Sequence, residues 1–237
     1  MDSETQPWGL VNMKQLLRGI PILAIMIAAC GAVENIQSAP KLFSIDLQDT
    51  TILQGLVDFS LQNRLPIGIV LSDNPGLCHP QGKLTLKDVT AERIVDSMLQ
   101  DSGYRWSLEN GVFVVKPIST SGLPNRVLQL KYSRFESMNT TMQGLGVLLS
   151  SYIQSSLEPE KGYAGNILAS SESARIKPFV LENSTVEQIA NHIVSLDDKG
   201  AWILRTAPQK ESGNVRVEIY GYKDDAQILR KLPCSVR

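Results

Sequence analysis

The chain is poor in the side chains that most site chemistry needs. Among 237 residues there are two histidines and three cysteines, and neither a CxxC nor an HxxxH spacing joins them. A metal site needs three or four ligands, so the adjacent Cys78 and His79 lack the rest of a set. No metal or cofactor is expected. GxSxG, Walker-type and GxGxxG motifs are also missing, which leaves acyl-transfer and nucleotide chemistry without a recognisable centre. The chain is therefore expected not to be an enzyme. An excess of one charge is absent as well: 23 Lys and Arg face 24 Asp and Glu, for a net charge of -1. Proteins that neutralise phosphates carry a positive footprint, so no nucleic-acid partner is expected. Long apolar runs are wanting too. The most apolar, GIPILAIMIAACGAV from Gly19 to Val33, has fifteen residues, short of the about 20 a spanning helix needs.

That run suits the h-region of a secretory signal, with Lys14 and Arg18 before it. Residues 1–39 read as a tail plus signal. The basic n-region starts most naturally at Met13, because Asp2 and Glu4 are unlike a signal n-region; Met1 to Asn12 are an over-long start or a tail. Ile27-Ala28-Ala29-Cys30, followed by Gly31, resembles a bacterial lipobox with Ile in the usual Leu position. Cys30 is the lipidation candidate; the alternative is a signal cleaved later, after Ala32 or Ala39. Export to the periplasm of a Gram-negative bacterium is the expectation, as an outer-membrane lipoprotein if Cys30 is acylated, with membrane contact only through the N-terminal lipid or signal. In that oxidising compartment Cys78 and Cys234 either pair, which stabilises by about 2–4 kcal/mol for a long loop, or remain separate thiols.

Past Lys41 the pattern is regular. LFSIDL alternates as a half-buried strand does. Asp49, Thr50 and Thr51 offer N-cap oxygens to a helix whose Leu53, Leu56, Val57 and Leu61 share a face. IGIVL is a β-branched strand, DNPGLCHPQG a loop, and KLTLKDV a strand ending at the cap Thr90. The next helix places Ala91, Ile94, Val95, Met98 and Leu99 on one stripe. YRWSL and VFVVKP then flank Asn110-Gly111, a strong hairpin signal. ISTSGLPN, 118–125, is a linker by composition. RVLQLKY, Arg126 to Tyr132, reads as a strand, followed by a helix with Met138, Met142, Leu145, Leu149, Tyr152 and Ile153 on one face; Gly144 and Gly146 weaken it by about 1 kcal/mol each. NILAS and ARIKPFVLEN read as strands, then a helix, then AWILR and VRVEIYGY. Asn139-Thr140-Thr141 and Asn183-Ser184-Thr185 fit the glycosylation sequon and serve equally as helix caps.

One half-unit recurs. LTLKDVTAERIVDSML, Leu84 to Leu99, is matched ninety-five residues later by FVLENSTVEQIANHIV, with Val186, Ile189, Ala190, Ile193 and Val194 as the stripe. Leu47, Asp49 and Thr51 repeat the same spacing before the first helix. A capped helix folding back on its strand cannot bury its apolar face alone, so the halves are expected to form an α+β protein of two tandem small domains, 41–117 and 126–237. Each is expected to run β-α-β-β-α-β-β, with two helices packed on one sheet. Trp106 and Trp202 are expected as matching core residues, one per repeat, rather than a ligand-stacking pair. His192 lies beside its stripe and is expected in solvent.

FSIDLQDTTILQGLVDFSLQNRLPIGIV and GKLTLKDVTAERIVDSMLQDSGYRWSLENGVFVVKP together resemble the short N-terminal domain shared by secretins and signalling TonB-dependent receptors. The likeness rests on Phe43-x-Ile45, the L-x-L-x-x-V-T run from Leu84 to Thr90, and Gly103-Tyr-x-Trp106, and covers Phe43 to Pro117. It departs at Asn63 to Pro66, where such domains place a Gly, and in the loop of Cys78 and His79. The second half resembles another domain of this kind, and VLQLKY with its helix resembles the next periplasmic domain of secretins. The resemblance implies a docking module whose partners are envelope proteins: secretion or TonB-type assembly components, or an anti-sigma-type regulator. The rival expectation is a small-molecule or glycan-binding protein, or an enzyme, using a cleft between the domains near 118–125.

Overall fold

A computed structural model describes residues 40–72, 75–119, 122–160, 174–196, 199–206 and 215–232, all of which belong to one compact unit. The first half runs β1 (Phe43–Leu47), β2 (Thr50–Thr51), α1 (Ile52–Asn63), β3 (Ile67–Leu71), a 3-10 turn (Pro75–Cys78), β4 (Pro80–Gln81), β5 (Leu84–Val89), α2 (Ala91–Leu99), β6 (Tyr104–Glu109) and β7 (Val112–Pro117). The second runs α3 (Leu123–Leu128), β8 (Lys131–Glu136), α4 (Met142–Leu157), β9 (Val180–Thr185), α5 (Val186–Val194), β10 (Gly200–Thr206), β11 (Val215–Gly221) and α6 (Ala226–Leu229). The protein is mixed α+β, as its periodicities predict.

The capped half-unit is real in backbone terms. Asp49, Asp88 and Asn183 all take the left-handed conformation, with φ of 53, 51 and 49 degrees, a region that Asp and Asn enter more readily than other non-glycine residues. Two residues on, Thr51, Thr90 and Thr185 each accept a hydrogen bond from the third helical N–H, on Gln54, Arg93 and Gln188. Thr141 caps α4 in the same way. The left-handed residue turns the strand end and the threonine starts the helix. The Asn110-Gly111 hairpin also forms, with both residues at positive φ.

What the halves build differs from two tandem sandwiches. A five-stranded sheet runs in the order β11-β10-β3-β7-β6, and β10 of the second half pairs in parallel with β3 of the first. The sheet thus crosses the boundary that the sequence places at 118–125. Its two faces carry two cores. Ile67, Ile69, Phe113, Val115, Ala201 and Ile203 face α1, α2 and the two-stranded β1-β5 sheet. Val70, Val114, Trp202, Leu204 and Val217 face α4 and α5, with Phe135 of the two-stranded β8-β9 sheet in the same core. Strands β3, β7 and β10 are apolar without alternation because each is covered on both sides. The repeat therefore has a packing reason: the capped helices α1 and α2 cover one face of a shared sheet and α4 and α5 cover the other, with Leu229 of α6 added to the first core.

Where that sheet crosses between halves, contact is closest. Gly68 pairs with Trp202, and a Cβ there would fall inside the indole. Local readings shift with it. Residues 123–128 of the expected linker and following strand form α3 instead, and Val127 and Leu128 are buried in the second core. Six residues are too few to show a helical period, and V-L-Q-L alternates as a strand would. Met138 lies before the Thr141 cap and is 58% exposed rather than on the α4 stripe. Of ARIKPFVLEN, only Val180 onward is strand, with Ile176 in an isolated bridge to Thr140. NILAS lies outside the described residues.

Candidate interaction surface at the open sheet edge

The two ends of the five-stranded sheet are treated differently. At β11, helix α4 lies along the edge. Ser150 Oγ accepts from Val217 N–H at 2.9 Å and donates to Val217 C=O at 3.2 Å, while Gln154 Nε2 donates to Val215 C=O at 3.0 Å. Gly146 makes the approach feasible, because a Cβ would stand 2.9 Å from Ile219 N and 3.0 Å from Val217 O. A glycine that weakens the helix in isolation here lets the helix seal a strand edge. Unpaired edges are templates for foreign strands, and this one is closed by side chains.

At the other end, β6 pairs with β7 and, among the described residues, with no further strand. Ile118 N–H donates to Gly103 C=O at 2.9 Å, and antiparallel ladders alternate bonded and non-bonded pairs. Along the register Arg105–Lys116, Ser107–Val114 and Glu109–Val112 are thus the bonded pairs. The N–H and C=O groups of Trp106 and Leu108 point outward. Side chains sort by face. Tyr104, Trp106 and Leu108 share the face of the first core; Tyr104 is buried and Leu108 is 52% exposed. Trp106 is half-buried against Phe113, ring centroids 5.3 Å apart, and its indole N–H donates to Asp96 at 2.6 Å. Arg105, Ser107 and Glu109 occupy the opposite face.

Behind that polar face sits a charged cluster. Lys116 lies 3.4 Å from Glu109 Oε1 and also pairs with Glu187 of α5; Ser107 Oγ donates to Glu109 at 2.8 Å. Glu187 is 5% exposed. Burial pushes its carboxyl above the usual range, Lys116 pulls it part of the way back, and Glu109 adds a smaller push. The hairpin carrying the open edge is thereby tied to the first turn of α5.

The other singled-out residues are dispersed. Cys78 is disulfide-bonded; Cys30 and Cys234 lie outside the described residues. His79 is exposed. His192 is not in open solvent, because its ring packs edge-on against Phe179 at 4.8 Å and burial lowers its pKa. Among the described residues no three His, Cys, Asp or Glu side chains gather to hold a metal ion. Trp202 is fully buried in one core and Trp106 packs against the other. No described helix is long and apolar enough to cross a membrane. Both sequon threonines are caps. Sequence reasoning passed over Lys116, Glu187, Ser150 and Gln154, and it took both strands of the hairpin as alternating; the usable signal it missed is that YRWSLE alternates, as an uncovered strand does, whereas VFVVKP does not. No protein-family model matches the chain, and no curated protein matches it significantly.

Proposed function

We propose that this chain is an exported, non-catalytic binding module of the bacterial envelope that takes another protein's strand onto β6. The observation that carries the reading is the contrast between the sheet's ends: one sealed by Ser150 and Gln154, the other presenting outward backbone groups beside an exposed Leu108. Strand addition draws affinity from main-chain hydrogen bonds and selectivity from alternate side chains. From Phe43 to Pro117 the chain runs β1, β2, α1, β3, β4, β5, α2, β6 and β7; with the two-residue strands β2 and β4 set aside, this is the order that a resemblance to the secretin and TonB-receptor N-terminal domain leads one to expect. The partners that likeness suggests are secretion or TonB-type assembly components or an anti-sigma-type regulator. The rival reading, a ligand cleft between the halves, is disfavoured because β3 and β10 pair there with buried faces.

Leu108→Pro is the test. It removes an outward N–H and leaves the bonds to β7 in place, a position where an edge strand tolerates proline. Capture of a discrete envelope partner by the wild-type chain, lost in Leu108→Pro at unchanged thermal stability, supports the reading. Equal capture by both proteins, or capture by neither, sinks it.

A further inference from the structure

The open edge is complementary to itself. In an antiparallel pair of β6 strands related by a two-fold axis at Ser107, each Ser107 stands opposite its copy. Trp106 then faces Leu108 of the other chain and Arg105 faces Glu109 of the other chain. Trp106 and Leu108 are the residues whose N–H and C=O point outward, so they form the bonded pairs of the new ladder, with Ser107 as the non-bonded pair between them. On one face the register sets a half-buried indole against a 52% exposed leucine, twice. On the other it sets an exposed arginine against a carboxylate whose side chain is 36% exposed, twice. Both pairings are among those that stabilise sheets across strands. A register with Trp106 opposite its own copy leaves Arg105 facing Ser107 and forfeits the charge match.

We infer that, without another partner, β6 takes the β6 strand of a second copy of this chain, joining two five-stranded sheets into one. The inference rests on β6 being the receptor edge, and it names the occupant. Five residues per strand make a small interface, so the dimer is reversible and depends on protein concentration.

The test is sedimentation of the purified protein with two charge reversals. Arg105→Glu alone places four carboxylates in two facing pairs, and Glu109→Arg alone places four guanidinium groups likewise. Each variant by itself is expected to dimerise at least about tenfold more weakly than wild type. Mixed together, they restore a one-to-one heterodimer, because every facing pair is again of opposite sign. Ser107→Cys supplies an independent reading of register. Cα atoms of a non-bonded antiparallel pair stand about 4.5 Å apart, within disulfide reach, so mild oxidation gives a covalent dimer that Arg105→Cys does not. A wild-type chain that stays monomeric, reversals that dimerise as well as wild type, or a mixture that fails to recover overturns the inference. If the protein is monomeric and Leu108→Pro still abolishes partner capture, only the occupant is wrong; if neither depends on β6, the receptor edge falls as well.

Discussion

Helices α2 and α5 carry equivalent residues at equivalent turns in unlike surroundings. Glu92 and Glu187 both sit in the first turn, the first exposed and the second 5% exposed and paired with Lys116. Asp96 and Asn191 occupy the same later position, and each accepts the indole N–H of the following tryptophan, at 2.6 Å from Trp106 and 2.7 Å from Trp202. The hydrogen bond is kept while the acceptor changes. Helix α2 lies beside β5 and β6, at the sheet's open end, whereas α5 crosses β3, β10 and β11. A carboxylate suits the exposed site; under the sheet's centre a neutral amide accepts the same proton without the cost of burying a charge. One repeat was thus placed at an edge and the other at a centre, and the chemistry of each position followed its burial.

The largest expected difference lies between the tryptophans. Trp202→Ala removes a fully buried side chain from the strand that joins the halves and should cost about 3–5 kcal/mol. Trp106→Ala, at a half-buried position, should cost less than about half of that. Urea unfolding followed by circular dichroism checks both, and equal costs would mean the halves are not as unlike as their burial indicates. Next comes exchange of the acceptors. Asn191→Asp puts a carboxylate at 2% exposure and should lose about 2–3 kcal/mol at neutral pH. The deficit should shrink as the pH falls and the introduced carboxyl takes up a proton. The reciprocal Asp96→Asn, at an exposed site, should stay within about 0.5 kcal/mol. A costly Asp96→Asn beside a harmless Asn191→Asp would reverse the assignment of edge and centre.

Much of this was legible in the residues, and the part that was not has one cause. The Thr caps, the two five-residue stripes and the Asn110-Gly111 hairpin depend on neighbours within a few positions, and all are present. The sharing of one sheet depends on which strand pairs with β3, and an apolar run such as IGIVL looks the same in either sheet. Gly68 was the available hint, since a glycine inside a strand marks a close approach, here that of Trp202. Gly146 read as a helix weakness for the same reason: its use lies in β11, some seventy residues away. The candidate surface was half visible, in the alternation of β6. Its contrast with the sealed β11 edge was hidden, because Ser150 and Gln154 look like ordinary helix polar residues until Val215 and Val217 stand opposite them.

The smallest expected effect separates the paired glutamates by pH rather than by size. Glu187 has a carboxyl raised above 4.5, mainly by burial. The folded chain therefore holds that proton to higher pH than the unfolded chain does. This contribution to stability is full below the unfolded value and is lost as pH rises through the folded one. Glu187→Gln removes the burial penalty and the Lys116 attraction together, and Lys116 keeps Glu109 as its counter-ion, so no uncompensated charge is left and the net change at neutral pH should be within about 1 kcal/mol. Its signature is a flatter stability profile from about pH 4.5 upward. Glu92→Gln, on an exposed side chain, should shift stability by less than about 0.5 kcal/mol. Thermal melts of both variants across pH 4 to 8 decide the matter: an unchanged slope in Glu187→Gln would mean that Lys116 and solvent already hold this carboxylate as they would in the unfolded chain, and that α5 is no more closed at its first turn than α2.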